Sequence, residues 1–130
     1  MQQITIKSNA VNHGHYVPGV ISNGMLYISG QLPVDHELGK MSTGDITEQT
    51  KLALHNVELV LSAAGAKKDN VVMCRVYIPN VEMWDAVNNI YAEFFSSHKP
   101  ARVVVPTREL HNGALIEIEA IAELPSYINS

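Results

Sequence analysis

A chain of 130 residues with 46% hydrophobic and 17% charged side chains has the composition of one folded domain, not of a disordered segment. Its net charge of −4, with no run of lysine or arginine, argues against a nucleic-acid partner, which wants a basic stripe. The lone Cys74 excludes an internal disulfide and fits a reducing compartment, and neither a leader pattern nor an apolar run near the ~18 residues of a membrane span is present. The expectation is a single domain, residues 1–130, that is cytoplasmic and has neither a membrane nor a nucleic-acid partner. So apolar a chain of this size also points to a subunit that hides part of its surface in an oligomer.

In chain order, residues 2–7 alternate Ile4 and Ile6 against Thr5 and Lys7, the period of a strand. Two apolar runs, residues 17–22 and 25–29, flank Asn23-Gly24, a pair suited to a tight hairpin turn because both central positions need positive φ. Residues 30–44, with Pro33, three glycines and scattered charge, read as a loop. Asp45 with Glu48 three residues on resembles a capping box. The helix it opens carries Ile46, Ala53, Leu54, Val57, Leu61 and Ala64 on one face and ends at Gly65. Residues 71–78 are valine-rich and read as a buried strand holding Cys74, an inert core thiol. Asn80 suits the cap of a second helix whose core stripe is Trp84, Val87, Tyr91 and Phe94, and Pro100 ends that connection. Residues 102–105 and 115–124 are the last two strands.

The resulting order is β-β-β-α-β-α-β-β, an α+β chain with a mixed six-stranded sheet. Strand–helix–strand units require a parallel pair, and crossovers of one hand put both helices on one face. The other face is left bare, and another subunit is its simplest cover. Alternation along the last strand directs Ile116, Ile118, Ala120 and Ala122 to the helices and Glu117, Glu119, Ile121 and Glu123 to the bare face. The same rule puts Arg102, Val104 and Pro106 on one side of their strand without saying which. Charges in such apolar strands are costly unless paired or used. Arg102 is therefore either half of a structural ion pair, the commoner case for a charge in such a strand, or a site residue, and either Glu117 or Glu119 could pair with Arg75 or Arg108. His13 and His15 lack cysteine or acidic neighbours, so no metal site is expected.

Several motifs occur in order: Gly14-His15-Tyr16-Val17-Pro18-Gly19, Ile28-Ser29-Gly30-Gln31-Leu32-Pro33, Val87-Asn88-Asn89-Ile90-Tyr91-Ala92-Glu93-Phe94-Phe95, and Pro100-Ala101-Arg102-Val103-Val104-Val105 followed by Arg108-x-Leu110 and Ile116-Glu117-Ile118-Glu119. Together they closely resemble the reactive intermediate deaminase family (RidA, also called YjgF) over nearly the whole chain. The resemblance implies a chorismate-mutase-like fold and a homotrimer with active sites between subunits. It implies cofactor-independent hydrolysis of 2-imino acids, formed from 2-aminoacrylate and related enamines, to 2-oxo acids and ammonia, with neither a metal nor an organic cofactor. In that family pattern Arg102 matches the arginine that holds the substrate carboxylate, a task its planar fork suits better than lysine. Glu117 matches the glutamate that positions or activates water, which leaves Glu119 as the structural partner. Tyr16, Ser29, Gly30 and Asn88 match pocket positions, and Val104 stands where many members have a cysteine. His15 and His111 replace common prolines, and Asn112-Gly113 alters the loop after His111. The alternative function is a non-catalytic trimer that binds or senses small carboxylates such as 2-oxo acids through Arg102. An endoribonuclease role, suggested for some relatives, agrees poorly with the acidic balance.

Overall fold

The computed structural model describes residues 1–125. Strands β1 (Gln2–Ile4), β2 (Gly19–Ser22), β3 (Met25–Gln31), β6 (Val71–Ile78), β7 (Ala101–Pro106) and β8 (Glu117–Glu123) form one sheet in the order β1-β2-β3-β8-β6-β7. Only β6 and β7 pair in parallel; β8 runs antiparallel to both β3 and β6, between which it is inserted. Helices α1 (Ile46–Ala63) and α2 (Trp84–Phe95) supply the two crossovers and pack on each other. The architecture is the α+β mixed six-stranded sheet expected from the pattern.

Local chemistry explains the boundaries. Asn23 (φ 50°) and Gly24 (φ 75°) both adopt the left-handed conformation, so the β2–β3 hairpin closes in two residues. Asp45 caps α1 by accepting from the Glu48 amide at 2.9 Å. At the other end Ala66 N–H donates to Leu61 and Gly65 takes φ 79°, the Schellman-type stop that glycine makes inexpensive. Asn80 caps a single 3-10 turn, Val81–Met83, that leads into α2, and so does not cap the α-helix directly.

Three expectations need correction. The first strand stops at Ile4, because the chain then leaves the sheet to wall a cleft. The stretch 30–44 is not all loop: β4 (Val34–Asp35) and β5 (Lys40–Met41) form a small hairpin, tightened by Asp35 accepting from the Glu37 and Leu38 amides. The stripe of α2 is also rotated. Phe95 is buried with Val87 and Tyr91, Phe94 is only partly covered, and Trp84 is 39% exposed at the molecular edge.

The core lies between the helices and one face of the sheet. Leu26, Ile28, Val76, Ile78, Ile116, Ile118, Ala120 and Ala122 meet Leu54, Val57, Val60 and Leu61 there. Each large side chain so buried contributes roughly 1.5–3 kcal/mol. The opposite face carries no helix. Val20, Tyr27, Met73, Val103, Val105 and Ile121 lie on it, with Tyr27 and Val103 well exposed. Among the described residues no helix is long and apolar enough to cross a membrane.

Candidate functional site

The bulk of the site is a cleft of about 1040 Å³ at the end of the sheet where β3 meets β8. That size is at the upper end for small-molecule sites. Tyr16, Ser29, Gly30 and Glu117 all line it, together with His111 and Asn112. Four of the seven site residues expected from the sequence are thus brought together in one place.

Backbone features aim these groups. The β3–β8 register shifts between Ile28 and Gln31, and this irregularity puts Gly30 against the Glu117 side chain. A Cβ on Gly30 would fall 2.8 Å from Glu117 Oε2, so only glycine leaves the carboxylate its present position. Ser29 stitches the preceding segment to the sheet: its hydroxyl donates to Val17 O at 2.6 Å and its amide to Pro18 O at 2.9 Å. The Tyr16 ring folds back over Gly14, where any Cβ would collide with it. Gly14 also donates to the Asn12 side chain at 2.8 Å, which shapes the turn before Tyr16.

Glu117 is half-buried, and its carboxyl is held above the ordinary carboxylate range. Burial is the main cause, and the Glu119 charge adds to it; His111 acts in the opposite sense. Glu119 is paired, as the sequence anticipated: its Oε1 accepts from Arg75 Nη1 at 3.2 Å and from the Tyr77 hydroxyl at 2.8 Å. This partly exposed pair is worth little as a stability device. It does leave Glu117 as the carboxylate of β8 that faces the cleft unpaired among the described residues.

The remaining three expected residues lie elsewhere. Arg102 is level with Cys74 in the β6–β7 register, which puts it on the helix-covered face of the edge strand. Its Nη1 donates to Asn88 Oδ1 at 2.9 Å. Its guanidinium sits 4.7 Å from the centre of the Tyr91 ring and 5.5 Å from that of Trp84, a cation–π arrangement that holds the charge without a carboxylate. Val104 follows two residues on, on the same face, packed against the core. Cys74 beneath them is buried, and burial pushes its thiol up to about 11, as befits an inert core cysteine. Among the described residues no three His, Cys, Asp or Glu side chains gather closely enough to share a metal ion.

Two supporting residues escaped the sequence reading. Gln49 and Asn56, 4% and 1% exposed, sit two turns apart on the inner side of α1. Gln49 accepts from Leu115 N–H at 2.9 Å and donates to Gly44 O at 2.9 Å, which pins the approach to Glu117. Asn56 Nδ2 donates to Leu32 O at 3.0 Å and Val34 O at 2.8 Å, which pins the exit from Gly30. The available signal was their position: amides seven residues apart beside the apolar stripe of a helix.

Comparison with known proteins gives a consistent result. A family model described as Endoribonuclease L-PSP matches residues 7–124. A RutC family protein of Pyrococcus horikoshii is 37% identical over 123 residues, 94% of this chain and 98% of that protein. A 2-iminobutanoate/2-iminopropanoate deaminase of Capra hircus is 38% identical over 109 residues, 84% of this chain and 80% of its own length. The crystal structure of E. coli TdcF with bound serine superposes with a TM-score of 0.88 at 31% identity, covering 95% of this chain and 98% of that one.

Proposed function

Because the chain belongs to the Endoribonuclease L-PSP family, the YjgF/RidA group, we propose that it hydrolyses reactive 2-imino acids to 2-oxo acids and ammonia in a cleft completed by a second copy of itself. The observation that carries the reading is the separation of its two charged candidates. Glu117 faces the cleft with a carboxyl poised above its usual range, and Arg102 waits at an edge strand with no carboxylate partner among the described residues. The two lie on opposite faces of one sheet, so a single substrate meets both only if they come from different chains. The bare, partly apolar sheet face supplies a surface for that association, and a homotrimer closes it with three equivalent clefts.

The chemistry follows from these groups. Arg102 of one copy holds the substrate carboxylate through two parallel bonds and so fixes the imine carbon. Glu117 of the other takes a proton from water as the oxygen attacks that carbon. In the protonated imine the C=N pair moves onto nitrogen to give a neutral carbinolamine, whose C–N bond then breaks as C–OH becomes C=O and the hydroxyl proton passes to the departing ammonia. A carboxyl lifted by burial is a better base near neutrality than an ordinary glutamate. The deaminase named among the relatives supports this reaction class. Serine, bound in TdcF, is a small amino acid with a carboxylate but no imine. It favours a second reading, a non-catalytic trimer that binds small carboxylates through Arg102. The net charge of −4 weighs against RNA as substrate.

The decisive experiment generates 2-aminoacrylate or 2-iminobutanoate in situ and follows 2-oxo acid release. Acceleration over buffer that is lost in Arg102→Ala and in Glu117→Gln is the expected result. Binding of pyruvate or 2-oxobutanoate without any acceleration would replace the deaminase with the binding protein. A monomeric mass by light scattering at micromolar concentration would remove the shared-cleft arrangement.

A further inference from the structure

Imine hydrolysis moves protons in two directions. One leaves the attacking water, and one must reach the nitrogen before it departs as ammonia. Glu117 accounts for the first. The wall of the same cleft offers three histidines, His13, His36 and His111, and one phenol, Tyr16. His36 is committed, with its Nδ1 2.6 Å from the Ser8 hydroxyl, and burial holds its imidazole toward the neutral form. His13 also lines the cleft, but it lies on the N-terminal segment, outside the elements that adjoin Glu117 in the chain.

His111 differs from both. It begins the short turn His111–Gly113 that delivers the chain to Glu117. The turn is held in shape. Asn112 and Gly113 take φ 54° and 72°, the amides of Gly113 and Ala114 donate back to Leu110 and His111, and Leu115 is tied to the buried Gln49. His111 is exposed and lines the same cleft as Glu117, where it favours the ionised carboxylate against the effect of Glu119. The other charge acting on the Glu117 carboxyl is that of Glu119, which Arg75 and the neutral Tyr77 hydroxyl hold.

Resting on the deaminase reading, we propose that His111 is a second catalytic residue of the cleft, the acid that protonates the departing nitrogen while Glu117 serves the water. The steps balance. Water adds to the iminium carbon as Glu117 takes one of its protons. The imidazolium of His111 gives a proton to the carbinolamine nitrogen. The C–N bond then breaks with its pair going to nitrogen, the carbinol O–H becomes C=O, and its proton returns to the imidazole. Glu117 passes its own proton to the ammonia, which leaves as ammonium.

The test compares the wild-type protein with His111→Gln in the in situ imine assay. The expected result is a kcat lower by about 100-fold with KM changed by less than about twofold, and partial recovery on adding free imidazole. The basic limb of the pH–rate profile should disappear in the variant. By NMR, the Glu117 carboxyl should titrate at a higher pH in His111→Gln than in the wild type, a readout independent of turnover. An inactive wild-type protein overturns this proposal together with the deaminase reading. An active wild-type protein with an unchanged His111→Gln variant overturns this proposal alone. Loss of kcat without imidazole rescue and with both pH limbs intact overturns it as well, because the residue would then be shaping the loop.

Discussion

Arg102 and Glu117 face away from each other across one sheet. Arg102 is level with Cys74, under α2, whereas Glu117 is level with Tyr77, on the face that no helix covers. If they act on one substrate they act in different chains, so Arg102→Ala and Glu117→Gln should complement. Either variant alone is expected to be inactive. In the proposed trimer, co-expression in equal amounts gives mixed assemblies in which one cleft in each has both groups, and roughly a quarter of wild-type activity should return. Activity that stays absent in verified mixed trimers would show that the two residues do not serve a shared cleft.

Gly30 bears on the same carboxylate from the neighbouring strand. Gly30→Ala places a methyl against Glu117 Oε2, the free end of a flexible side chain, so the side chain moves and the fold survives. Turnover should fall by at least about tenfold, while the melting temperature changes by no more than a few degrees. A variant of full activity would mean that the observed Glu117 position is not the working one.

The pH dependence has a definite sign. The proposed reaction needs Glu117 ionised, and burial with the Glu119 charge holds its carboxyl above the ordinary carboxylate range. The acidic limb of kcat/KM should therefore rise with pH through a midpoint above that of an ordinary glutamate. In Glu119→Gln the repelling charge is gone, so the limb moves to lower pH. A limb that moves upward in that variant would contradict the electrostatic origin given to the shift.

Asn56 predicts a stability effect with an activity consequence. Asn56→Ala removes two bonds and strands the carbonyls of Leu32 and Val34 beneath the cleft loop. The cost is about 3 kcal/mol, read from denaturant midpoints. Gln49→Ala should act similarly at the other end of the site, through Gly44 and Leu115. A loss under ~0.5 kcal/mol for either would mean that water replaces the amide without penalty.

Much of this protein was legible in the sequence because it rests on short-range rules. The Asn23-Gly24 turn, the Asp45 cap, the Gly65 stop and the alternation of β8 depend only on neighbouring residues, and each appears as read. That alternation already separated Glu117 and Glu119 from the core. Tertiary structure decided what depends on register and packing. The pairing of β6 with β7 put Arg102 level with Cys74 and hence under α2, a choice the period of a strand leaves open. The antiparallel partner of β8 gave Glu119 its arginine and tyrosine and left Glu117 to the cleft. Gln49 and Asn56 became visible as anchors only once the loops they hold were in place, since an amide beside an apolar stripe has no partner until the chain returns to supply one.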